Sequence, residues 1–390
     1  MPMPAAPLRF VLAPLAGFTD APFRRLCFEG GADLCYTEMV SAAGLAHGSS
    51  PTRHLMETMP GEGPVACQVF GATESDLALA AREVEGVKER FVEINLNAGC
   101  PMKKVTCSGA GAKLVEDPEK VYRLLVAMRE NTSLPVTLKT RLGPHPAQTN
   151  AFELLDAAER AGASGVTFHA RYTSQMHGGA VHLDTLAELV RRAHVPVTGN
   201  GSVVDAKTAA AMAETGVSAI MVGRAALPNP AIFAELKKAM EGDVSGGQLD
   251  PEAVRHRFHI SSDALGTYST PGTYSTSVTC STSDTYSTQG THSTSDTHST
   301  SDTHSTSGTH STLGTYSTFE NHLSYLLSFR DQLATRFPND HVPSADGFAS
   351  VKMHVHLFRY FNGRPGAAAL RARLNAVRTL AEIREIVSSG

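Results

Sequence analysis

Short apolar runs alternate with amphipathic stretches along residues 10–240. The runs are rich in β-branched and aromatic residues, which is typical of buried strands. Eight strands are predicted in this way, at residues 10–13, 34–38, 65–70, 91–96, 136–139, 165–169, 195–198 and 219–222. Between them, apolar residues recur every three or four positions, which predicts helices at 74–87, 118–129, 151–161, 183–193 and 205–215.

A succession of strand-then-helix units is typical of two α/β architectures, the (β/α)8 or TIM barrel and the doubly wound sheet. A dinucleotide-binding doubly wound sheet carries a G-x-G-x-x-G turn after a strand. The nearest match, Gly109-Ala110-Gly111, lies in a predicted loop and lacks the third glycine. The eight units and the missing turn therefore favour the barrel.

The alternation stops at residues 266–318, where a six-residue unit repeats, most clearly as Ser-Asp-Thr-His-Ser-Thr at 295–300 and 301–306. This segment has almost no apolar residues and no Lys, Arg or Glu. Such a composition buries too little surface to offset the entropy of ordering, so we expect disorder. Its histidines are expected to bind no metal, because a disordered chain offers no fixed geometry.

Helical spacing resumes at 319–337 and 347–387 and, with residues 250–260, predicts a small helical domain that the repeat interrupts. We therefore expect a barrel domain at 1–242, a helical domain at 243–265 and 319–390, and a disordered insertion at 266–318. The predicted core of the helical domain is Leu357, Phe358, Tyr360, Phe361, Leu370, Leu374, Val377, Leu380, Ile383 and Ile386.

Charge is distributed unevenly, although the formal net charge is only −4. Residues 352–384 contain one acidic residue, Glu382, and seven basic residues. The basic residues are Lys352, Arg359, Arg364, Arg371, Arg373, Arg378 and Arg384. We expect these basic residues on the outside of the helical domain, where they suit a polyanion such as RNA; a solvated helix face is the alternative.

The six cysteines are irregularly spaced, which is typical of free thiols in a reducing cytosol. The N-terminus does not resemble a signal peptide, and no apolar run approaches the roughly 20 residues that span a bilayer. We therefore expect a cytoplasmic protein with no membrane contact.

Cys100 is the strongest candidate for chemistry. It follows the strand predicted at 91–96, and Gly99 and Pro101 predict a turn that presents the thiol at the carboxyl end of that strand. An ordinary cysteine has a pKa of about 8.5, so this thiol is protonated at neutral pH and can act as an acid. No second cysteine stands at C-x-x-C spacing, which argues against zinc or a dithiol pair. A buried structural cysteine is the alternative.

Other polar or small residues gather at or just after the carboxyl ends of the predicted strands, where TIM barrels carry their active sites. They are Pro14, Leu15 and Ala16, Glu38, Gln68, Asn95 with Asn97, Lys139 with Arg141, His169 with Arg171, Asn200 with Gly201 and Ser202, and Gly223 with Arg224.

These segments resemble one family, the tRNA-dihydrouridine synthases, and most closely its bacterial B type. The similar segments are Ala13-Pro14-Leu15-Ala16-Gly17, Thr37-Glu38-Met39-Val40-Ser41, Gln68-Val69-Phe70-Gly71, Asn95-Leu96-Asn97-Ala98-Gly99-Cys100-Pro101, Lys139-Thr140-Arg141-Leu142-Gly143, His169-Ala170-Arg171, Gly199-Asn200-Gly201 and Val222-Gly223-Arg224-Ala225. They cover the barrel in the family's order, and the segment at 358–366 resembles the family's helical RNA-binding domain.

The resemblance implies a flavin mononucleotide (FMN) cofactor. Gly201, Ser202, Gly223 and Arg224 would bind its phosphate together with Asn200, in the loops after strands seven and eight. Pro14, Leu15 and Ala16 would line the flavin ring, Gln68 would bind its pyrimidine edge, Lys139 would approach its N1/O2 side, and His169 is a further contact.

The reaction that the resemblance implies is reduction of the C5=C6 bond of uridines in tRNA. Hydride goes from reduced FMN to C6, a proton goes from Cys100 to C5, and NADPH or NADH is the electron donor. Asn97 would read the uracil edge, and Arg171 would contact the base or a phosphate. We expect a monomer that binds tRNA and no metal. Two alternatives stay open: an FMN-dependent barrel oxidoreductase acting on a free pyrimidine, as dihydroorotate dehydrogenases do, and a non-catalytic RNA-binding protein.

Overall fold

The computed structural model of the protein describes residues 8–241, 312–360, 367–377 and 379–389. The helix predicted at 250–260 and the clearest repeat units lie outside these residues, as do Phe361, Arg364 and Arg378. Within the described part, the strands are β1 (Arg9–Leu12), β2 (Leu34–Tyr36), β3 (Val40–Ser41), β4 (Val65–Phe70), β5 (Glu93–Ala98), β6 (Val136–Arg141), β7 (Val166–His169), β8 (Val197–Asn200) and β9 (Ala219–Val222).

The strands form a closed parallel barrel, as the alternating pattern predicts. Their order is β2-β1-β9-β8-β7-β6-β5-β4, and β2 also pairs with β4, which closes the circle. The two-residue strand β3 extends β4 at one end, and it is too short for sequence periodicity to reveal. Apolar strand residues such as Phe10, Leu12, Ile94, Leu96 and Phe168 are fully buried, so the core is built by the runs that predict the strands.

Helices cover the outside of the barrel. They are α1 (Ala21–Glu29), α2 (Ala42–Ala46), α3 (Ser50–His54), α4 (Glu74–Glu85), α5 (Lys103–Thr106), α6 (Pro118–Arg129), α7 (Ala151–Arg160), α8 (Leu183–Arg192), α9 (Ala206–Ala213) and α10 (Ile232–Glu241). Several begin at a side-chain cap: Asp20 accepts a hydrogen bond from the N–H of Phe23, and Asp117 accepts one from the N–H of Lys120. These caps satisfy backbone donors that the first turn of a helix leaves free.

In the described residues of the C-terminal helical region there are four helices: α11 (Thr312–Arg336), α12 (Ala345–Tyr360), α13 (Ala367–Ala376) and α14 (Leu380–Ser389). Leu357, Tyr360, Leu374, Ile383 and Ile386 are buried together, which confirms most of the predicted core. Phe358, Leu370 and Val377 pack against it in partly exposed positions, and Leu380 completes it.

Helix α11 begins at Thr312, so the prediction that disorder extends to residue 318 is wrong for the last residues of that segment. Adding a turn to an existing helix gains one hydrogen bond per residue without a new nucleation cost, so a polar sequence can continue a helix that packing stabilises downstream. Among the described residues, no helix is both long and apolar enough to cross a membrane.

Three strands end later than their apolar runs predict. β5 continues to Ala98, β6 to Arg141 and β8 to Asn200. The ladder explains the difference, because each extra polar residue pairs with the next strand: Asn97 lies beside Lys139, and His169 lies between Arg141 and Asn200. The register therefore gathers the polar residues into one belt at the carboxyl ends of the strands.

Candidate active site

A cavity of about 340 Å³ opens at the carboxyl ends of the barrel strands. Its walls carry five cationic side chains: Lys139, Arg141, Arg171, Arg224 and Arg359. None of the described residues that line it is an aspartate or a glutamate. A concave site with one sign of charge concentrates ligands of the opposite sign, so this cavity suits an anionic ligand.

Cys100 lies on the cavity wall, as the turn after β5 predicts. The amide oxygen of Asn97 accepts hydrogen bonds from the backbone N–H groups of Gly99 (3.1 Å) and Cys100 (3.0 Å). Arg141 Nε donates to the carbonyl of Gly99 at 2.8 Å, and the Cys100 carbonyl accepts from the N–H of Ala112 at 2.8 Å. The thiol therefore stands on a loop that is fixed from both sides.

Partial burial raises the pKa of the Cys100 thiol above its ordinary value, although the N–H of Met102 and the charges of Arg141 and Lys139 act in the opposite direction. The group is consequently a protonated thiol at neutral pH. It can release a proton to a ligand, which is the requirement for a general acid.

The amide of Asn97 is committed to the protein. Its Nδ2 donates to Gln68 Oε1 at 2.8 Å and contacts Met39 Sδ at 3.1 Å, while Gln68 Nε2 donates to Asn95 Oδ1 at 2.7 Å. Gln68 is fully buried and does not line the cavity, so the structure does not bring this predicted cofactor contact to the site. This chain of amides orients Asn97, and through it the Cys100 loop.

Lys139 reaches the cavity from β6, and its Nζ donates to Asn200 Oδ1 at 3.1 Å. Asn200 in turn donates to the carbonyl of Met221 at 2.8 Å, which fixes the orientation of its amide. Burial first and the neighbouring Arg141 second lower the pKa of Lys139 to about 7. An anion in the cavity would favour the charged form of this lysine.

Arg171 organises the opposite side of the cavity. It donates to Ser202 Oγ (2.5 Å), to the carbonyl of Gly179 (2.7 Å) and to His169 Nε2 (3.1 Å). Burial first, and then nearby cations beginning with Lys139, lower the pKa of His169 well below its usual range. His169 is therefore a neutral ring whose Nε2 accepts from the guanidinium.

The loop after β8 has an unusual backbone. Gly201 has φ +126° and Ser202 has φ +55°, a left-handed conformation that non-glycine residues adopt only at a cost. A Cβ on Gly201 would come within 3.0 Å of both His169 and Val181, so only glycine fits here. Consecutive residues in such conformations can turn backbone N–H groups towards an anion.

Pro14, Leu15, Ala16 and Gly223 form an apolar part of the wall, and Thr19 Oγ1 fixes their loop by accepting from the N–H of Leu15 at 3.1 Å. Arg224 is exposed at the edge and donates to the carbonyl of His177 at 3.3 Å. The structure thus brings every residue expected to bind the cofactor or the substrate to the cavity, except Gln68; Glu38 and Asn95, which were also singled out at strand ends, do not line it.

Sequence reasoning missed His177 and Met39 on the wall, together with apolar residues such as Phe18, Met102 and Val204. His177 lies in a loop without periodicity, and its ring stacks on His169 with 6.1 Å between ring centroids. Met39 comes directly after the strand predicted at 34–38, so the rule that singles out strand ends could have found it. The sequence placed Arg141 at this end of the barrel but suggested no role for it. In the structure its Nε donates a hydrogen bond to the Gly99 carbonyl.

The basic residues of the helical region do not form one outer surface. Arg359 lines the cavity and Arg373 is exposed, but Arg384 pairs with Glu320 (3.5 Å) and Lys352 pairs with the buried Asp20 (3.3 Å). The prediction that all of them lie outside is wrong for Lys352, because helix α12 packs this residue against the barrel. The side chain of Arg371 lies outside the described part.

The sequence is similar to known proteins over the barrel. The family model described as dihydrouridine synthase (Dus) matches residues 11–257. The tRNA-dihydrouridine synthases B of Klebsiella pneumoniae and of Escherichia coli strain K12 are each 35% identical to this chain over 234 residues, which is 60% of this chain and 72% of theirs. The protein of the same name from Proteus vulgaris is 33% identical over 232 residues, 59% of this chain and 71% of its own.

Proposed function

Because the chain belongs to the dihydrouridine synthase family, we propose that it reduces the C5=C6 bond of specific uridines in tRNA to give 5,6-dihydrouridine. One observation supports this most strongly: a protonated thiol stands in a cavity whose charged side chains are all cationic. Both the phosphate of a flavin cofactor and the backbone of an RNA are anions that such a cavity attracts.

The donor set fits FMN, the cofactor that we propose for this flavoenzyme. Asn200, Gly201, Ser202, Gly223 and Arg224 would hold the phosphate. Arg171 already donates to the hydroxyl of Ser202, so it orients that group. The left-handed backbone at Gly201 and Ser202 supports this assignment, because such strain is retained where a ligand or function requires it.

Pro14, Leu15 and Ala16 would line the flavin ring, since they form an apolar part of the cavity wall. Lys139 and His169 would contact it from the polar side. Gln68 is proposed to act indirectly, because its amide is bonded to Asn95 and Asn97 rather than turned to the cavity. When bound, reduced FMN supplies a hydride for C6 of the uracil base.

Cys100 is the proposed general acid. Its Sγ carries the proton that C5 of the base receives, and the resulting thiolate regains a proton from water. Burial keeps the thiol protonated, while Arg141 and Lys139 stabilise the thiolate after transfer. The target uridine has to leave its stack to reach this depth, which costs a few kcal/mol.

Asn97 and Arg171 are the proposed substrate contacts. The amide of Asn97 is bonded to Gln68 and to the Cys100 loop, so it would exchange one of these hydrogen bonds for one to the uracil edge. NADPH or NADH would supply the two electrons of each turnover. We propose that the helical domain, residues 243–265 and 319–390, binds tRNA, and that the barrel domain, residues 1–242, binds FMN.

The test uses purified full-length protein and three substrates. We expect a yellow protein with flavin absorbance that, with NADPH, converts uridine to dihydrouridine in unmodified tRNA. Free uridine and dihydroorotate are the comparison substrates and should remain unchanged. Turnover of a free pyrimidine but not of tRNA would favour a small-molecule oxidoreductase, and a colourless protein that binds tRNA without turnover would favour a non-catalytic role.

A further inference from the structure

A buried polar cluster joins the barrel to the helical region. We call it the junction; it consists of Asp20, Glu38, His322, Lys352 and His356. The Lys352 ammonium lies 3.3 Å from Asp20 Oδ2. Burial alone would lower the pKa of Lys352, but the charges of Asp20 and Glu38 raise it overall, so this lysine is a cation that pairs with Asp20 and is further stabilised by the charge of Glu38.

Both carboxylates also hold the loop that lines the cavity. Glu38 Oε2 accepts from the backbone N–H of Gly17 at 2.5 Å, and Asp20 Oδ1 accepts from the N–H of Phe23 at 3.2 Å, capping α1. The loop between these contacts carries Phe18, whose ring lies on the cavity wall. Lys352 thus neutralises the two groups that fix the first loop of the barrel.

On helix α12, Lys352, His356 and Arg359 follow one another at spacings of four and three residues, so they lie on one face of the helix. His356 packs between Phe23 (4.7 Å between ring centroids) and Phe18 (5.5 Å). The guanidinium of Arg359 lies 5.8 Å from the centre of the Phe18 ring and reaches the cavity. This face of the helix therefore runs from the buried ion pair to the mouth of the cavity.

Asp20, His322 and His356 also resemble a set of metal ligands, because one possible ligand atom from each lies within 4.8 Å of the others. However, the Lys352 ammonium already provides a cation at the Asp20 carboxylate. A divalent ion would have to displace it or bear its repulsion. The junction is better explained as an ion pair surrounded by aromatic rings that fixes the position of α12.

Arg359 differs from Lys352 in having no carboxylate partner among the described residues, and its side chain is exposed. It is the contribution of the helical region to an otherwise barrel-built cavity. We propose that Lys352 is a positioning residue: by joining α12 to Asp20 of the barrel, it holds Arg359 where it binds a phosphate of the tRNA substrate at the cavity mouth. This inference rests on the proposed function.

The test is a double-mutant cycle in the flavin-loaded full-length enzyme. Lys352→Met, Arg359→Gln and the double variant are compared for kcat/KM with tRNA. Displacement of a group near the reacting centre by about 1 Å can cost up to about a hundredfold in rate. We expect each single variant to lose about ten- to a hundredfold in kcat/KM, and the double variant to match Arg359→Gln within about twofold, because Lys352 acts through Arg359.

Two further variants and a second measurement keep the result interpretable. Lys352→Arg should restore most of the activity, and His354→Gln, on the same helix but outside the junction, should match the wild type. Flavin content and single-turnover oxidation by tRNA after chemical reduction separate loss of folding from loss of substrate positioning. If Lys352→Met unfolds the protein, the cycle is run with Lys352→Gln in its place.

Independent, multiplicative losses in the double variant would overturn the proposal while leaving the proposed function intact. So would a Lys352→Met enzyme with the wild-type kcat/KM for tRNA. A wild-type enzyme that reduces no tRNA would overturn the proposed function, and this inference with it.

Discussion

The cavity mouth and the junction use the same kinds of charged residue in opposite ways. At the mouth, the partners of Lys139, Arg171 and Arg224 within the described part of the chain are neutral amide, carbonyl and hydroxyl groups and a neutral imidazole. At the junction and in the adjoining part of the barrel, cations meet carboxylates: the partly buried Lys352 pairs with Asp20, and the buried Arg24 pairs with Glu62.

This difference distinguishes cations that stabilise the fold from cations that can bind a ligand. In a buried ion pair the carboxylate already neutralises the cation, so the cation does not attract a ligand. A cation with neutral partners still attracts an anion. A set of such cations in one cavity destabilises the empty protein by mutual repulsion and by burial. That cost is offset only when an anionic ligand binds.

The largest expected effect tests the chemistry at the mouth. Cys100→Ala should bind flavin normally and be reduced by NADPH, but turnover with tRNA should fall by about 10²–10⁴-fold, the usual contribution of a general acid. Cys107→Ala, which removes an exposed cysteine seven residues later, is the matched control and should behave as wild type. Unchanged turnover in Cys100→Ala would remove the acid role.

Breaking a paired cation should affect stability instead. Arg24 is 1% exposed and also donates to the carbonyls of Thr19 (2.8 Å) and Glu57 (2.9 Å). Arg24→Met leaves the Glu62 carboxylate buried without its partner, so the free energy of unfolding should fall by about 3–5 kcal/mol in chemical denaturation.

The control for this prediction is Lys113→Met, which breaks the exposed pair with Glu116 and should cost less than about 1 kcal/mol. A loss of the same small size for Arg24→Met would mean that the buried pair is not a structural element. In that case, the contrast between the two regions would not hold.

Removing Lys139, whose partner Asn200 is neutral, should instead raise the stability of the flavin-free protein. The pKa of Lys139 is lowered from 10.5 to about 7, so between these pH values the unfolded chain binds one more proton than the folded one, and stability rises with pH. Lys139→Met should therefore stabilise the flavin-free protein at pH 7, by up to about 4 kcal/mol at 1.36 kcal/mol per unit.

That gain should shrink as the pH rises from 7 towards 10.5, while turnover with tRNA falls at every pH. Denaturation of flavin-free wild type and Lys139→Met across this pH range measures the first effect. If Lys139→Met were less stable than the wild type at pH 7, Lys139 would not destabilise the flavin-free protein.

The smallest effect concerns the helical region. Neutralising Arg359, Arg371 and Arg373 together should weaken tRNA binding and make its salt dependence less steep, by about 0.7–0.9 in the log–log slope for each phosphate that the variant no longer neutralises. Neutralising Arg82, Arg123 and Arg160 on the outer barrel helices is the matched control. Equal effects from both triple variants would indicate attraction by overall charge alone.

Much of the fold could be predicted because its signals are local. The apolar runs at 65–70 and 219–222 coincide with β4 and β9, and the helix predicted at 118–129 coincides with α6, which begins at a capping Asp117 and Pro118. Strand ends at Ala98, Arg141 and Asn200 were harder to predict, because polar residues extend a strand only when the neighbouring strand pairs with them.

The candidate site could be predicted from the sequence to about the same extent as the fold. Cys100, Lys139 and His169 follow apolar runs, and a parallel barrel brings the carboxyl ends of its strands to one face. Gln68 follows the same rule but is bonded to Asn95 and Asn97 inside the barrel. Whether a strand-end side chain faces the cavity or the interior depends on neighbouring strands, which periodicity does not describe.

The amino-acid sequence by itself determined the order of strands and helices, the barrel they form and the end at which its chemistry lies. These follow from hydrophobic periodicity and turn residues, which act over a few positions of the chain. Only the tertiary structure decided which cations are paired and which are left for a ligand. Lys352 and Arg359 stand seven residues apart on one helix in a basic segment, and their different surroundings come from barrel residues that are far away in the sequence: Asp20 beside Lys352, and Phe18 with the cavity beside Arg359.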